Sequence, residues 1–412
     1  MNRRAFIAAS SVAALAAALP LRAEDAPPED RLFIIVFADG GWDPTRVMLP
    51  AFGVADVEPE AVVSVTGGLT FIDHPDRPKV RSFLETYSAR TAFINGIAVP
   101  SVSHGVCRGM LMTGTRAAEG TDWTTRIARA RSAQLPLPHL VLSGPVFAGD
   151  SPGAVARVGG RRQLAELLTG AALDDLDPRP MRLSDAGESL VEARLLREQA
   201  TPGGPISTRL ADAAADALAR LGALRATPNL DALLALDAEA DPWRWAAEAL
   251  AAGVSRCVTL SWPSVGVLPW DSHGGNDTLQ SAAFEDLFDQ LTALMARLAS
   301  TVDAAGTPLD RRVTVVVLSE MGRSPLLNSV AGKDHWPYTS AILIGSGVAG
   351  GQALGGVDRS FRGLGINRET GATQPDAEPP TTETLGATLL AIAGVDVAEE
   401  LPGVEPLWSL LS

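Results

Sequence analysis

The chain has little cysteine, little histidine and too little positive charge to balance its acids. Cys107 and Cys257 are the only two cysteines in 412 residues, too few for a disulfide framework or a cysteine-rich zinc module. They read as two buried thiols, with a single disulfide as the alternative. Lys and Arg number 34 against 48 Asp and Glu, a formal net charge of −14. A surface so poor in cations excludes DNA or RNA as an expected partner, because phosphate-backbone binding needs a basic face. No internal repeat is present, and the composition, 46% hydrophobic and 20% charged, is that of a chain able to bury a sizeable core.

One apolar stretch stands apart, at the N-terminus. Arg3 and Arg4 are followed by Phe6, an Ala-rich run to about Leu21 and a polar exit. This pattern reads as a twin-arginine export signal cleaved after Ala23. As a membrane span it is marginal against the ~20 apolar residues required, and no lipobox cysteine follows. The expectation is a signal over residues 1–23 and a mature chain over 24–412 with no membrane span, periplasmic or secreted. Twin-arginine export carries proteins already folded, often around a metal or cofactor.

Beyond the signal, apolar runs without alternation recur: Leu32 to Ala38, Thr91 to Val99, His139 to Pro145, Ser255 to Pro263, Arg312 to Glu320 and Ser340 to Gly347. Such runs are strands buried on both faces. Helical stretches, including Pro78 to Ser88 and Thr278 to Ala304, lie between them. Strand and helix in alternation predict an α/β fold with a mainly parallel central sheet flanked by helices, its sites at the carboxyl ends of strands. From about residue 160 to 253 the spacing is helical with no strand signal, which predicts a helical insertion or cap; ordinary crossover helices are the alternative. Residues 363–380 read as a polar loop.

Of the five histidines, His104, His273 and His335 stand in polar, glycine-flanked segments. Asp39 closes the first apolar run, Asp271 and His273 follow a later one in "WDSHGGND", Glu320 ends the most hydrophobic one, and Asp334 and His335 precede the next. Singly, a strand-end Asp caps a turn more often than it binds metal. Together, carboxylates and imidazoles from several strand ends are the mixed N/O donor set of a divalent-metal site. Arg108, Arg323 and Lys333 are the nearby cations, suited to an anionic substrate group, with surface ion pairs as the plain alternative. Trp42, Trp262, Trp270 and Trp336 accompany these motifs and offer an aromatic wall for a sugar or planar substrate, or core packing.

The block from "VVLSEMGR" to "GKDHWPYTSAILIG", with "WDSHGGND" and the twin-arginine leader, resembles a Tat-exported bacterial family of unknown function, DUF1501, of the alkaline phosphatase and sulfatase superfamily. The resemblance runs through nearly all of the mature chain. It implies an alkaline-phosphatase-like fold and a centre holding zinc, calcium, magnesium or manganese. By position it implies Asp39, Asp271, His273, Glu320 and His335 as metal residues, with Asp334 beside them. The match departs from the superfamily twice: one residue instead of three separates Asp271 from His273, and Met321 stands where a hard ligand is usual.

In that superfamily the nucleophile lies ten residues before the Gly of a Thr-Gly pair, and counting back from Gly114 reaches His104. Ser103 precedes it, and the residues after Cys107 lack the sulfatase maturation pattern. Three roles stay open for His104: metal ligand, nucleophile forming a phosphoramidate, or helix cap in a site without activity. Ser103 is the neighbouring hydroxyl nucleophile. The reading is an exported metal-dependent hydrolase of phosphate or sulfate esters, on a small-molecule or glycan ester. The alternative is a metal-binding or inactive member that serves another exported protein as binding or maturation partner.

Overall fold

In the computed structural model, the described residues are 25–116, 120–131, 135–158, 163–169, 184–200, 204–228, 230–237, 240–262 and 270–412. The export-signal segment lies outside them. Twelve strands follow in chain order: β1 Leu32–Phe37, β2 Val62–Thr66, β3 Leu69–Asp73, β4 Thr91–Ala98, β5 His139–Val141, β6 Val155–Arg157, β7 Cys257–Ser261, β8 Val313–Leu318, β9 Gly322–Arg323, β10 His335–Trp336, β11 Tyr338–Gly345 and β12 Gln352–Gly355. The helices are α1 Pro78–Tyr87, α2 His104–Thr113, α3 Trp123–Arg129, α4 Gln163–Thr169, α5 Asp185–Ala200, α6 Pro205–Arg225, α7 Leu230–Leu234, α8 Pro242–Ala251, α9 Asn276–Ser300, α10 Thr382–Ile392 and α11 Val397–Glu400.

Eight of the strands form one sheet in the order β12-β4-β11-β8-β1-β7-β5-β6. Its apolar runs divide by parity, since successive side chains point to opposite faces. Leu32, Ile34 and Val36 enter a core with α1, α8 and α9, whereas Phe33, Ile35 and Phe37 enter a second core with α2, α3 and α10. The result is a three-layer α/β/α arrangement, as expected.

Two findings adjust that expectation. The sheet is mixed: β11 runs antiparallel to both β4 and β8, while the other pairings in the sheet are parallel. An apolar run carries no direction, so nothing in the residues distinguished Ser340 to Gly347 from its parallel neighbours. Between β6 and β7 the described residues form α4 to α8, and α8 is a layer helix whose Trp243, Trp245, Ala246 and Ala249 are buried in the first core. α5 and α6 pack on each other. No described helix is long and apolar enough to cross a membrane.

The inverted strand matters for position. β1, β4, β7 and β8 all end at one edge of the sheet, and β11 begins there. Residues after four strands and before a fifth therefore meet in one place.

Candidate functional site

The turn after β1 contributes Asp39, Gly40 and Gly41. Gly40 has φ +130°, and a β-carbon there would lie 2.8 Å from the Asp271 backbone nitrogen. Only glycine takes this conformation and admits that approach. Its N–H is thereby aimed at the Glu320 carboxylate, donating to Oε1 and Oε2 at 3.0 and 3.2 Å. Glu320, just beyond β8, is fully buried and also accepts from the Ser319 hydroxyl at 3.3 Å.

After β4 the chain turns into α2. Ser103 is the N-cap, its side chain making no cap hydrogen bond, and His104 is the first helical residue. Gly114, in the left-handed conformation that glycine favours, ends the helix. His104 Nδ1 lies 2.6 Å from Glu320 Oε1 and Nε2 3.5 Å from Asp271 Oδ2. One turn further along, on the same helix face, Arg108 donates through Nε to Asp39 Oδ1 at 2.8 Å.

Asp271 is the hub. Oδ1 is 3.2 Å from His335 Nε2 and 3.2 Å from His273 Nε2, and accepts from Arg323 Nη2 at 2.7 Å. His335, on β10, reaches it because β10 pairs with β9 so that His335 stands opposite Arg323. His273 Nε2 and His335 Nε2 are 3.0 Å apart, and the rings of His104 and His335 meet edge to face at 4.4 Å between centroids. His104, Asp271 and His335 each offer one donor atom within 4.8 Å of the others, which makes them the group among the described residues suited to hold a metal ion.

The electrostatics fit a shared cluster. Burial and the neighbouring Glu320 charge push the Asp39 carboxyl up, with Arg108 opposing them. The hydrogen bond to Glu320 raises the His104 imidazole above its ordinary value despite burial. For Asp271 burial acts upward, but the hydrogen bonds from Arg323 and His335 and the Arg323 charge outweigh it and leave the group below the usual carboxylate range.

Not every residue singled out in the sequence faces this cluster. Arg323 is fully buried and spent on the chain itself, donating to the carbonyls of Gly40, Gly41, Trp270 and Lys333 besides Asp271. Lys333 is equally buried, its Nζ 2.8 Å from Asp43 Oδ2. Both correct the expectation of substrate-binding cations: they fasten loops, and a motif's spacing does not show which way a side chain turns. Arg108 is the cation of the three that retains exposure at the cluster. Trp42 and Trp270 are fully buried against Phe284, so they belong to the core and form no wall. Trp262 donates to Asp286 and Trp336 to the Phe361 carbonyl. Cys107 and Cys257 are buried free thiols.

Two participants are backbone groups: the Val102 carbonyl accepts from His335 Nδ1 at 2.8 Å, and the Gly40 N–H holds Glu320. Asp334, expected beside the metal residues, pairs with His273 at 3.1 Å. A backbone carbonyl leaves no trace in a sequence; the Gly-Gly pair after Asp39 does signal a tight turn.

Residues 243–410 match the model of a family described as a protein of unknown function, DUF1501. No curated protein matches the chain. Among solved structures the chain is similar to Ps i-CgsB in complex with k-i-k-neocarrahexaose, at 9% identity and a TM-score of 0.39, over 92% of this chain and 75% of that one. It is similar to the C-terminal periplasmic domain of EcEptC from Escherichia coli, at 8% identity and a TM-score of 0.38, over 92% and 87%. It is also similar to the phosphonate monoester hydrolase of Agrobacterium radiobacter, at 11% identity and a TM-score of 0.36, over 91% and 78%.

Proposed function

We propose that this chain, which belongs to the DUF1501 family through residues 243–410, is an exported metal-dependent hydrolase of phosphate or sulfate esters. The observation that carries the reading is the spacing of donors around Asp271. In a tetrahedral site with metal–nitrogen and metal–oxygen bonds near 2.0–2.1 Å, neighbouring donor atoms lie about 3.3 Å apart. The nitrogens of His335 and His104 stand 3.2 Å from Asp271 Oδ1 and 3.5 Å from Asp271 Oδ2, and one donor atom from each of the three residues lies within 4.8 Å of the others, a mixed N/O set of the kind that binds zinc. His104, Asp271 and His335 would hold the ion, with His273 beside them.

A bound ion of this type supplies Lewis acidity and a water whose pKa is about 7. The chain supplies the rest. Arg108, one helical turn from His104 and partly exposed, offers guanidinium donors to the anionic oxygens of the ester. Asp39 holds Arg108 in that place while the site is empty of substrate. The small-molecule or glycan nature of the ester rests on the superfamily resemblance. Export rests on Arg3, Arg4 and the apolar run behind them, and appearance of the mature chain in the periplasmic fraction, abolished by an Arg3→Lys, Arg4→Lys double change, is its test.

A second reading has its own observation. The cluster's acids are already matched within the chain: Asp39 by Arg108, Asp271 by Arg323, and Glu320 by the Gly40 N–H and His104. A member that binds without turning over, as partner of another exported protein, would keep such a closed set. Metal content of the purified protein, followed by turnover of aryl phosphate and aryl sulfate with the His104→Ala variant alongside, separates the two. Bound metal with turnover lost in His104→Ala is the expected result. Metal-free protein without hydrolysis sinks the hydrolase, and bound metal with no turnover on either ester favours the partner.

A further inference from the structure

Three imidazoles turn one nitrogen toward Asp271, and in each the other nitrogen already faces an acceptor. His104 Nδ1 is 2.6 Å from Glu320 Oε1, His335 Nδ1 2.8 Å from the Val102 carbonyl, and His273 Nδ1 3.1 Å from Asp334 Oδ1. Both nitrogens of each ring thus face an oxygen acceptor; at His104 the 2.6 Å contact of Nδ1 with Glu320 is much shorter than the 3.5 Å from Nε2 to Asp271 Oδ2, so a neutral His104 ring carries its hydrogen on Nδ1. In that form the His104 Nε2 lone pair is left facing Asp271 Oδ2 at 3.5 Å, while the Nε2 atoms of His335 and His273 stand 3.2 Å from Asp271 Oδ1. A ring lone pair and a carboxylate oxygen with no hydrogen between them repel, and a cation held by both resolves the repulsion.

The three holds are unequal. Asp334 and His273 are largely exposed, 69% and 49%, and the grip on His335 is a single backbone oxygen. Glu320 is different: it is 0% exposed, and the Gly40 N–H donates to both of its oxygens at 3.0 and 3.2 Å. Turning it away from the ring would break that contact inside the core.

Resting on the metal reading above, we infer that Glu320 is a positioning residue and not a ligand: it locks His104 in the Nδ1–H tautomer and so presents Nε2 to the ion. The residue that the sequence placed on the metal stands one shell behind it. A carboxylate in this place also increases the basicity of the ring it holds, and loss of such a partner typically weakens metal binding 10- to 100-fold.

The test uses the full mature chain. Nitrogen-15 spectra of the histidine rings, recorded without metal at a pH where the rings are neutral, report the tautomer, and zinc affinity is read by competition with a chromophoric chelator. The expected result is Nδ1–H at His104, a zinc-induced shift at its Nε2, and a roughly 10- to 100-fold weaker zinc affinity in Glu320→Ala. Glu320→Gln keeps an acceptor oxygen; the expected result is a retained tautomer and a smaller loss of affinity, which also guards against Glu320→Ala failing to fold. An Nε2–H tautomer beside normal zinc uptake, or undiminished affinity in folded Glu320→Ala, overturns the inference alone. A wild-type chain that takes up no zinc overturns the metal reading, and this inference with it.

Discussion

Asp39 and Arg108 show how much of the chemistry is decided by single side chains. Both Arg108 nitrogens nearest the cluster, Nε and Nη2, point at one Asp39 oxygen, at 2.8 and 2.5 Å, leaving the remaining guanidinium edge for a ligand. Replacing Arg108 by Ala removes charge-assisted bonds worth about 1.5–3 kcal/mol. The expected outcome is a fall of roughly 10- to 150-fold in kcat/KM for an aryl phosphate, read by steady-state kinetics. Ser103 gives the contrasting prediction. Its hydroxyl is exposed and makes no cap bond, and with a metal-activated water Ser103→Ala retains most of the turnover; its abolition would transfer the nucleophile's role to Ser103. At this scale the sequence is informative where a polar residue sits in a glycine-containing segment near the end of an apolar run, which is why Asp39, His104, Asp271, His273 and His335 group together from the residues alone. It fails for Arg323 and Lys333, because burial of a cation depends on carbonyls and carboxylates brought from distant turns.

Among the elements, the segment from Ser324 to Gly332 governs how the imidazoles meet. It is tied to His273 by Asn328 Nδ2, which donates to the His273 carbonyl at 3.0 Å, and a β-carbon at Gly332 would lie 1.9 Å from that same oxygen. Gly332→Ala must therefore displace the residues around His273. The expected outcome is a weakened zinc affinity with the far-ultraviolet circular dichroism unchanged, and an affinity equal to wild type would show that this contact does not set the site. Element by element, buried strands are legible because an unbroken apolar run must be sheltered on both faces. α2 is legible from its small and apolar residues and terminal Thr-Gly. Strand direction is not, since β11 differs from β8 only in what it pairs with.

For the molecule as a whole, a buried ionic network beside the site is the acid-sensitive part. Asp43, Arg46, Glu58, Arg77 and Lys333 are all buried and mutually paired. Burial alone would raise the Asp43 and Glu58 carboxyls, but Lys333 and Arg46 for the first, and Arg46 and Arg77 for the second, outweigh it and hold both below the usual range. Folded values depressed below the unfolded ones of about 4 contribute stability that is fully present above that pH and lost as pH falls through the folded values. Urea denaturation at decreasing pH should show this loss, and Asp43→Ala should remove about 3–5 kcal/mol at neutral pH by leaving Lys333 buried without its carboxylate partner. A midpoint independent of pH between about 5 and 2 would contradict it. Zinc in excess should raise the thermal midpoint, by an amount corresponding to about 2.7 kcal/mol at roughly a hundred times the dissociation constant, and chelation should reverse it.

The reversed course of β11 carries a consequence for how the chain comes together. His335 bonds to Val102 across 233 positions, and His104 to Glu320 across 216. Pairings of such separation pay their loop-closure entropy before they are rewarded. During synthesis, every segment up to β8 can emerge and begin to pack while the cluster still lacks its closing histidine. Ion capture would then be a late event on the folding pathway, and a chain truncated before residue 335 would lack both the closing histidine and β11, the strand that joins β4 to β8 in the sheet.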